Sequence, residues 1–416
     1  LKMCFICQFV IPSFKMKNFI LTFLSLLLFV SCLSAQLLTE DRYNRSILCG
    51  AMRTELYIGD LIGKRVGIVA NQTSVIKNTH LVDTLLLLGV EVKKVFAPEH
   101  GFRGDSGAGE TIKDGKDKKT GLPLISLYGK NKKPSAEMIQ DLDVIIFDIQ
   151  DVGARFYTYI STMHYVMEAA AQQEKKVIVL DRPNPNGFYI DGPLLNINFR
   201  SFVGMHPIPV VHGLTVAELA LMINGEKWLS DGLQCDLHVI PCENYKHSDF
   251  YELPIQPSPN LPNMAAVYLY PSICWFEGTA VSVGRGTSKP FQMIGYPGCP
   301  SGKSQFTPTD IPGTAMDPPY EGRLCKGHDL EEFGMTFIVT SRELYLDWTK
   351  GMYDEFADKK GFFTSPDFFD KLAGSNQLRM QLTSGASASE IKKSWQKDLA
   401  DYKIKRKKYL LYPDFE

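Results

Sequence analysis

The chain has 416 residues, with 45 Lys+Arg against 46 Asp+Glu and a formal net charge of −1. Hydrophobic residues make up 44% and charged residues 22%, which is enough for a packed core and excludes wholesale disorder. The charge balance excludes the basic excess of a dedicated nucleic-acid binder, and 33 Gly with 24 Pro exclude collagen-like and low-complexity chains.

Lys17 precedes an uncharged apolar run, Asn18–Val30, and small residues follow it. That is the pattern of a secretory signal. The run is shorter than the roughly 20 residues of a membrane span. Met16 is the natural start, so residues 1–15 read as an upstream extension, and the pair Cys4 and Cys7 falls inside it. Two processing sites fit. Val30-Ser31-Cys32 resembles a lipoprotein box with a lipid anchor on Cys32, and Ser34-Ala35-Gln36 resembles ordinary cleavage after Ala35. Residues 1–35 are therefore expected to be a signal sequence, and the protein is expected outside the cytoplasmic membrane, periplasmic or lipid-anchored. Cys49, Cys235, Cys242, Cys274, Cys299 and Cys325 lie beyond it. They are too few for a disulfide framework; an oxidising compartment leaves room for one or two bridges, whose pairing spacing does not give, and most read as buried thiols.

Short apolar strands are expected at 65–70, 92–97, 143–149 and 177–180, with helices at 80–88 and 157–173. Apolar strands without polar alternation, separated by helices, indicate a parallel sheet covered on both faces. Residues 45–215 are thus expected to form a doubly wound, Rossmann-like α/β domain. A Pro- and Gly-rich irregular stretch spans 183–213. Thr215 and Glu218 then form a capping-box pattern at the start of a helix reaching residue 224. A second irregular stretch covers 252–334. A strand is expected at 335–340 and helices at 341–350, 366–373 and 388–404. Residues 216–416 are read as a smaller α+β domain.

The usual ligands of a doubly wound sheet leave no signature. After Val69 comes Ala-Asn71-Gln72-Thr73, with no glycine, where a dinucleotide site needs G-x-G-x-x-G. Between Gly298 and Gly302-Lys303-Ser304 stand three residues, one short of a phosphate-binding loop. No H-E-x-x-H and no G-x-S-x-G occurs. His206 and His212 lie in the proline-rich loop and read as structural.

Ligands of such sheets bind outside the carboxyl ends of the strands. Four polar clusters fall there: Asn71-Gln72-Thr73; Pro98-Glu99-His100-Gly101-Phe102-Arg103; Asp148 with Gln150, Asp151, Arg155, Tyr157 and Tyr159; and Asp181-Arg182-Pro183-Asn184-Pro185. So many acids, amides and guanidines suit a polyol or sugar acid. Structural roles compete with that reading: Asp148 or Asp151 pairing with Arg155, Glu99 capping a turn, and the tyrosines packing on a helix face.

Several long strings resemble the bacterial exo-β-N-acetylmuramidase family. They are the run from Lys64 to Thr73, the run from Phe96 to Gly104, and Phe147-Asp148-Ile149-Gln150-Asp151-Val152-Gly153-Ala154-Arg155-Phe156-Tyr157-Thr158-Tyr159. Asp181 to Pro185, His212 to Thr215, Ser258 to Pro262, Phe276-Glu277-Gly278-Thr279, Gly284-Arg285-Gly286-Thr287 and Tyr409 to Tyr412 also fit. The resemblance runs from about residue 45 to the end. It implies a Rossmann-like domain and a smaller domain enclosing a cleft. It also implies release of terminal N-acetylmuramic acid from the non-reducing end of peptidoglycan fragments. Members of the family often carry Glu before the Gly-Arg-Gly-Thr string, where this chain has Val283. That shifts weight to Glu99 and Glu277.

Glycoside hydrolysis needs a proton for the leaving oxygen and negative charge near an oxocarbenium-like centre. Glu99, ending a buried strand beside Phe96 and Phe102, is the expected acid. Glu277 or Asp151 is the expected second carboxylate. The 2-acetamido carbonyl of the sugar can itself attack, with a carboxylate orienting it. The lactyl carboxylate calls for a bidentate partner, Arg285 or Arg155. Asn71, His100, Arg103, Asp148 and Tyr157 complete the expected substrate contacts. No cofactor or metal is expected. A non-catalytic exported binder of muropeptides is the competing class, and retention of Glu99, Asp151 and Glu277 favours the enzyme. An esterase lacks a visible nucleophile.

Overall fold

The four expected apolar strands form and lie side by side in one sheet. The computed structural model describes residues 47–99, 101–103 and 114–416. The signal-like segment with Cys32, and His100, lie outside the described residues. The strands are β1 (Arg65–Ala70), β2 (Val75–Ile76), β3 (Thr79–His80), β4 (Glu91–Ala97), β5 (Gly115–Lys116), β6 (Pro123–Ser126), β7 (Val144–Asp148), β8 (Lys176–Leu180) and β9 (Asp236–Ile240). β2 and β3 form a small hairpin, and the other seven form a sheet in the order β5-β6-β4-β1-β7-β8-β9. Only the β5–β6 edge pair is antiparallel. Leaving out β5, the order is that of the dinucleotide-binding folds, with a switch point between β1 and β7. β9 comes from beyond residue 216, so the sheet draws a strand from the segment expected to form the smaller domain.

The period of two along each strand divides the core. Val66, Ile68, Ala70, Val144, Ile146, Ile178 and Leu180 pack on one face with Leu81, Val82 and Leu85 of helix Leu81–Leu87. Val69, Ile145, Phe147, Val177 and Val179 pack on the other, under helices Tyr159–Gln172 and Val216–Gly225. Each buried Val, Leu, Ile or Phe among them contributes about 1.5–3 kcal/mol. The capping box forms as expected. The Thr215 hydroxyl accepts from the Glu218 amide at 3.3 Å, and Glu218 Oε2 accepts from the Thr215 amide at 2.9 Å. The remaining oxygen, Oε1, binds His247 Nε2 at 3.0 Å and the Leu411 amide at 2.8 Å, which ties down the closing Tyr-Leu-Leu-Tyr string.

After β9 come helix Met264–Ile273, a 3-10 turn Cys274–Gly278, and a three-stranded antiparallel sheet. Its strands are β10 (Met293–Tyr296), β11 (Ser304–Phe306) and β12 (Cys325–Asp329), in the order β10-β12-β11. Helices Asp347–Glu355, Pro366–Ala373, Gln377–Thr383, Ala388–Ser394 and Gln396–Arg406 follow. The strand expected at 335–340 is instead helical, with a π turn at Gly334–Ile338. The β-branched run there is outweighed by packing. Phe333 and Phe337, four residues apart, stack at 4.7 Å, and both meet Tyr345. Arg342, at φ 54°, ends this helix, and the one expected at 341–350 begins at Asp347. All six described cysteines are buried and unpaired. Among the described residues no helix is long and apolar enough to cross a membrane.

The ends of β7 and β8 are joined by a buried ion pair. Arg182 Nε and Nη2 donate to Asp148 Oδ1 and Oδ2 at 2.6 and 2.9 Å. Removing one partner leaves an uncompensated buried charge. Asp148→Ala should therefore cost about 3–5 kcal/mol in urea unfolding at neutral pH, and Asp148→Leu/Arg182→Met should recover much of it. A loss below about 1 kcal/mol for the single variant would show that the pair does not hold the strand ends.

Candidate active site

A cavity of about 760 Å³ opens at the carboxyl ends of β4, β6 and β7 and is closed by the segments around 258–291 and 316–319. That size suits a sugar-sized ligand. Its walls include Phe156, Tyr157, Phe276, Tyr270 and Phe291. Tyr270 stands edge-on to Phe156, Tyr157 and Phe291, with centroids 5.2, 5.9 and 5.0 Å away. Burial raises the Tyr157 and Tyr270 hydroxyls well above the ordinary phenol range, so they act as neutral groups. Two glutamates face this space, Glu99 from the loop after β4 and Glu277 from the 3-10 turn.

Glu277 is placed by backbone constraints. Pro271 lies near the end of helix Met264–Ile273, and the chain continues into the 3-10 turn that carries Glu277. A side chain at Gly278 would meet the Phe369 backbone at 2.7 Å, so the glycine lets helix Pro366–Ala373 close on the turn. Its partner, Arg285, stands between two glycines with left-handed backbone, Gly284 at φ 74° and Gly286 at φ 78°. Arg285 Nη1 donates to Glu277 Oε1 at 2.7 Å. Burial opposes the Arg285 charge, but Glu277 and, more weakly, Glu99 outweigh it and raise the pKa. The other Glu277 oxygen faces the Cys274 thiol at 3.8 Å. Burial, then Glu277, pushes that thiol well up, so it stays protonated.

Glu99 has different surroundings. Thr158 Oγ1 donates to Glu99 Oε2 at 3.3 Å, and the Tyr159 hydroxyl donates to the Glu99 carbonyl at 3.3 Å. Burial and then the Glu99 charge raise the Tyr128 phenol beside it. Among the described residues Glu99 makes no ion pair. Among the described residues the site therefore holds one glutamate hydrogen-bonded to a guanidinium and one hydrogen-bonded by hydroxyls.

The other expected site residues divide. Tyr157 lines the cavity, and its hydroxyl donates to the Pro257 carbonyl at 2.8 Å. Asn71, Asp148, Asp151, Arg103 and Arg155 do not line it. Asn71 Oδ1 is taken by the Thr73 amide and hydroxyl at 2.9 and 2.6 Å, and Asp148 by Arg182. Arg103 grips Asp117 at 2.9 and 2.8 Å and reaches Asp83 at 3.2 Å. Arg155 is fully buried and pairs with neither Asp148 nor Asp151. It donates to the carbonyls of Pro193, Ile208 and Leu372 at 2.6, 2.8 and 2.9 Å, stapling the sheet half to helix Pro366–Ala373. Burial without a carboxylate partner pulls its pKa down to about 9.

Asp151, expected as a possible second carboxylate, is also enclosed. Its Oδ2 accepts from the Gly153 amide at 2.7 Å, with His212 Nε2 at 3.8 Å. Sequence reasoning missed Tyr128, Lys132 and Tyr270, which do line the cavity. The first two follow β6, a four-residue strand opened by Pro123; identifying it as a fifth parallel strand would have pointed to its carboxyl end.

The chain is similar to known proteins along most of its length. The model of the N-terminal part of exo-beta-N-acetylmuramidase NamZ matches residues 66–265, and that of its C-terminal part matches residues 268–412. The chain is 37% identical to the peptidoglycan beta-N-acetylmuramidase NamZ of Bacillus subtilis, over 95% of this chain and 100% of that protein. Crystal structures of two DUF1343 family proteins from Bacteroides fragilis are similar, each covering 88% of this chain and 99% of the other. One has a TM-score of 0.81 at 47% identity, the other 0.71 at 31%.

The burial of Asp151 has a pH consequence. Burial pushes its pKa up to about 7, well above its value in the unfolded chain. The folded state then keeps a proton that the unfolded state has lost between roughly pH 4 and 7, so stability falls as pH rises through that window. Asp151→Asn, which mimics the protonated acid, should flatten that fall in urea unfolding followed from pH 4 to 7.5. An unchanged slope would mean that Asp151 is already ionised in the folded protein.

Proposed function

The chain belongs to the exo-beta-N-acetylmuramidase family, and we propose that it removes terminal N-acetylmuramic acid from the non-reducing end of peptidoglycan fragments. The observation that carries this reading is the pairing of unlike glutamates across one aromatic-walled cavity: Glu99 among hydroxyls, and Glu277 held by Arg285. Glu99 protonates the glycosidic oxygen as the bond breaks. Glu277 supplies negative charge beside the oxocarbenium-like centre, or orients the 2-acetamido carbonyl that attacks it. Arg285 fixes the rotamer of Glu277. Phe156, Tyr157, Tyr270 and Phe276 form a wall against which the faces of a pyranose pack.

We also propose that the protein is exported. This rests on the apolar run Asn18–Val30 after Lys17, with Cys32 as the lipid-anchor site in one branch. Fractionation of Met16-initiated protein should place it outside the cytosol. Loss of membrane association in Cys32→Ser would support the lipid-anchored branch.

Replacing the acid tests the activity. Glu99→Gln keeps the shape of the side chain but delivers no proton, which typically costs about 10²–10⁴-fold. A sugar leaving group needs that proton and a nitrophenolate scarcely does. Hydrolysis of the natural disaccharide should therefore fall much further than that of a nitrophenyl muramide, whereas Glu277→Gln should slow both. Equal loss on both substrates for Glu99→Gln would remove Glu99 from the acid role. A wild-type protein that binds the disaccharide without cleaving it would make the chain a muropeptide-binding protein.

A further inference from the structure

N-acetylmuramic acid differs from N-acetylglucosamine by an anionic lactyl group, and the cavity already holds the carboxyl groups of Glu99, Glu277 and Asp317. A further carboxylate entering it needs a cation that is not already committed. Among the described residues the lining contains two cations, Arg285 and Lys132. The Arg285 charge is balanced by Glu277, to which its Nη1 donates at 2.7 Å. Arg155 and Arg103 lie outside the lining and are bound to carbonyls and to Asp117 respectively.

Lys132 is held differently. It sits in the loop that leaves the carboxyl end of β6. The next residue, Lys133, anchors that loop by an ion pair with Glu168 at 2.6 Å. The Lys132 ammonium makes no ion pair among the described residues. It lies 4.4 Å from the centroid of Phe202, and Phe202 is stacked from its other neighbour, Tyr165, at 6.2 Å and 10°. Phe202 itself stands in a tight turn closed by paired hydrogen bonds between Ser201 and Gly204, at 2.9 and 3.1 Å. The ring thus holds the ammonium at the cavity wall through its π face and does not neutralise its charge, so N–H donors on the side away from the ring can meet a carboxylate.

We infer that Lys132, carried on the Phe202 ring, is the residue that receives the lactyl carboxylate of the substrate. This rests on the reading of the cavity as a muramic acid site. The contact is a charge-assisted hydrogen bond, so its loss weakens binding by about 10–100-fold. Titration with free N-acetylmuramic acid and with its lactyl methyl ester isolates the charge from the rest of the sugar. Wild type should prefer the acid. Lys132→Met should raise the Kd for the acid about 10–100-fold and abolish the preference, and Lys132→Arg should keep most of it. A Lys132→Met protein that still prefers the acid, or a wild type that does not, overturns the inference. Failure of wild type to hydrolyse a nitrophenyl muramide while the preference for the acid persists would overturn the catalytic reading and leave Lys132 in place.

Discussion

The locked carboxyl ends of β1, β7 and β8 set the position of everything in the cavity. Arg182 grips Asp148 across β7 and β8, and Ser74, just after β1, donates its hydroxyl to the Asp148 carbonyl. The Asn71 amide donates to that same Ser74 oxygen at 3.0 Å, and the Gln150 amide donates to the Thr73 hydroxyl at 3.0 Å. The crevice where this strand order usually receives a ligand is therefore filled by side chains bonded to each other. The polypeptide leaving β7 is held rigid through Asp151 and Arg155. It delivers Tyr157, Thr158 and Tyr159 to the cavity floor, and two of those three hydroxyls reach Glu99.

Electrostatics then separates two chemically identical side chains. Glu277 has a guanidinium at 2.7 Å on one oxygen and a neutral thiol on the other, and so is a carboxylate whose charge is balanced in place. Among the described residues Glu99 makes no ion pair; the Thr158 and Tyr159 hydroxyls bond to it, and Arg285 is coupled to it more weakly than to Glu277. Environment, not residue type, separates the roles of a carboxyl pair, and the proposed division, proton donation by Glu99 and negative charge from Glu277, rests on that difference. The glycines around Arg285 serve that division, because the arginine reaches Glu277 from a backbone that swings through positive φ on either side.

The regular part of the fold was legible in the sequence because apolar strands and amphipathic helices follow from burial. The four expected parallel strands, the capping box at Thr215 and the helix at 366–373 all follow from that pattern. Residue roles were less legible. Polar residues clustered at strand ends look alike whether they face a ligand or each other, and hydrogen bonding decides which. Asn71 is consumed within its own turn by Thr73, Asp148 in holding Arg182, and Arg155 in binding three carbonyls from segments up to 217 residues away in the chain. Lys132 was hidden for the opposite reason. The strand before it is four residues long and begins with proline, so no strand end marks the position. The run at 335–340 has strand composition, but it is helical, with Phe333 and Phe337 stacked one turn apart and both packed on Tyr345.

A structure of the protein with N-acetylmuramic acid bound tests the account most directly. The sugar should occupy the cavity between the β4 loop and the 3-10 turn. Its anomeric oxygen should lie within about 3 Å of a Glu99 carboxyl oxygen, with Glu277 near the anomeric carbon or the acetamido group. A sugar bound elsewhere, or bound in the cavity with its anomeric oxygen beyond reach of Glu99, would contradict it.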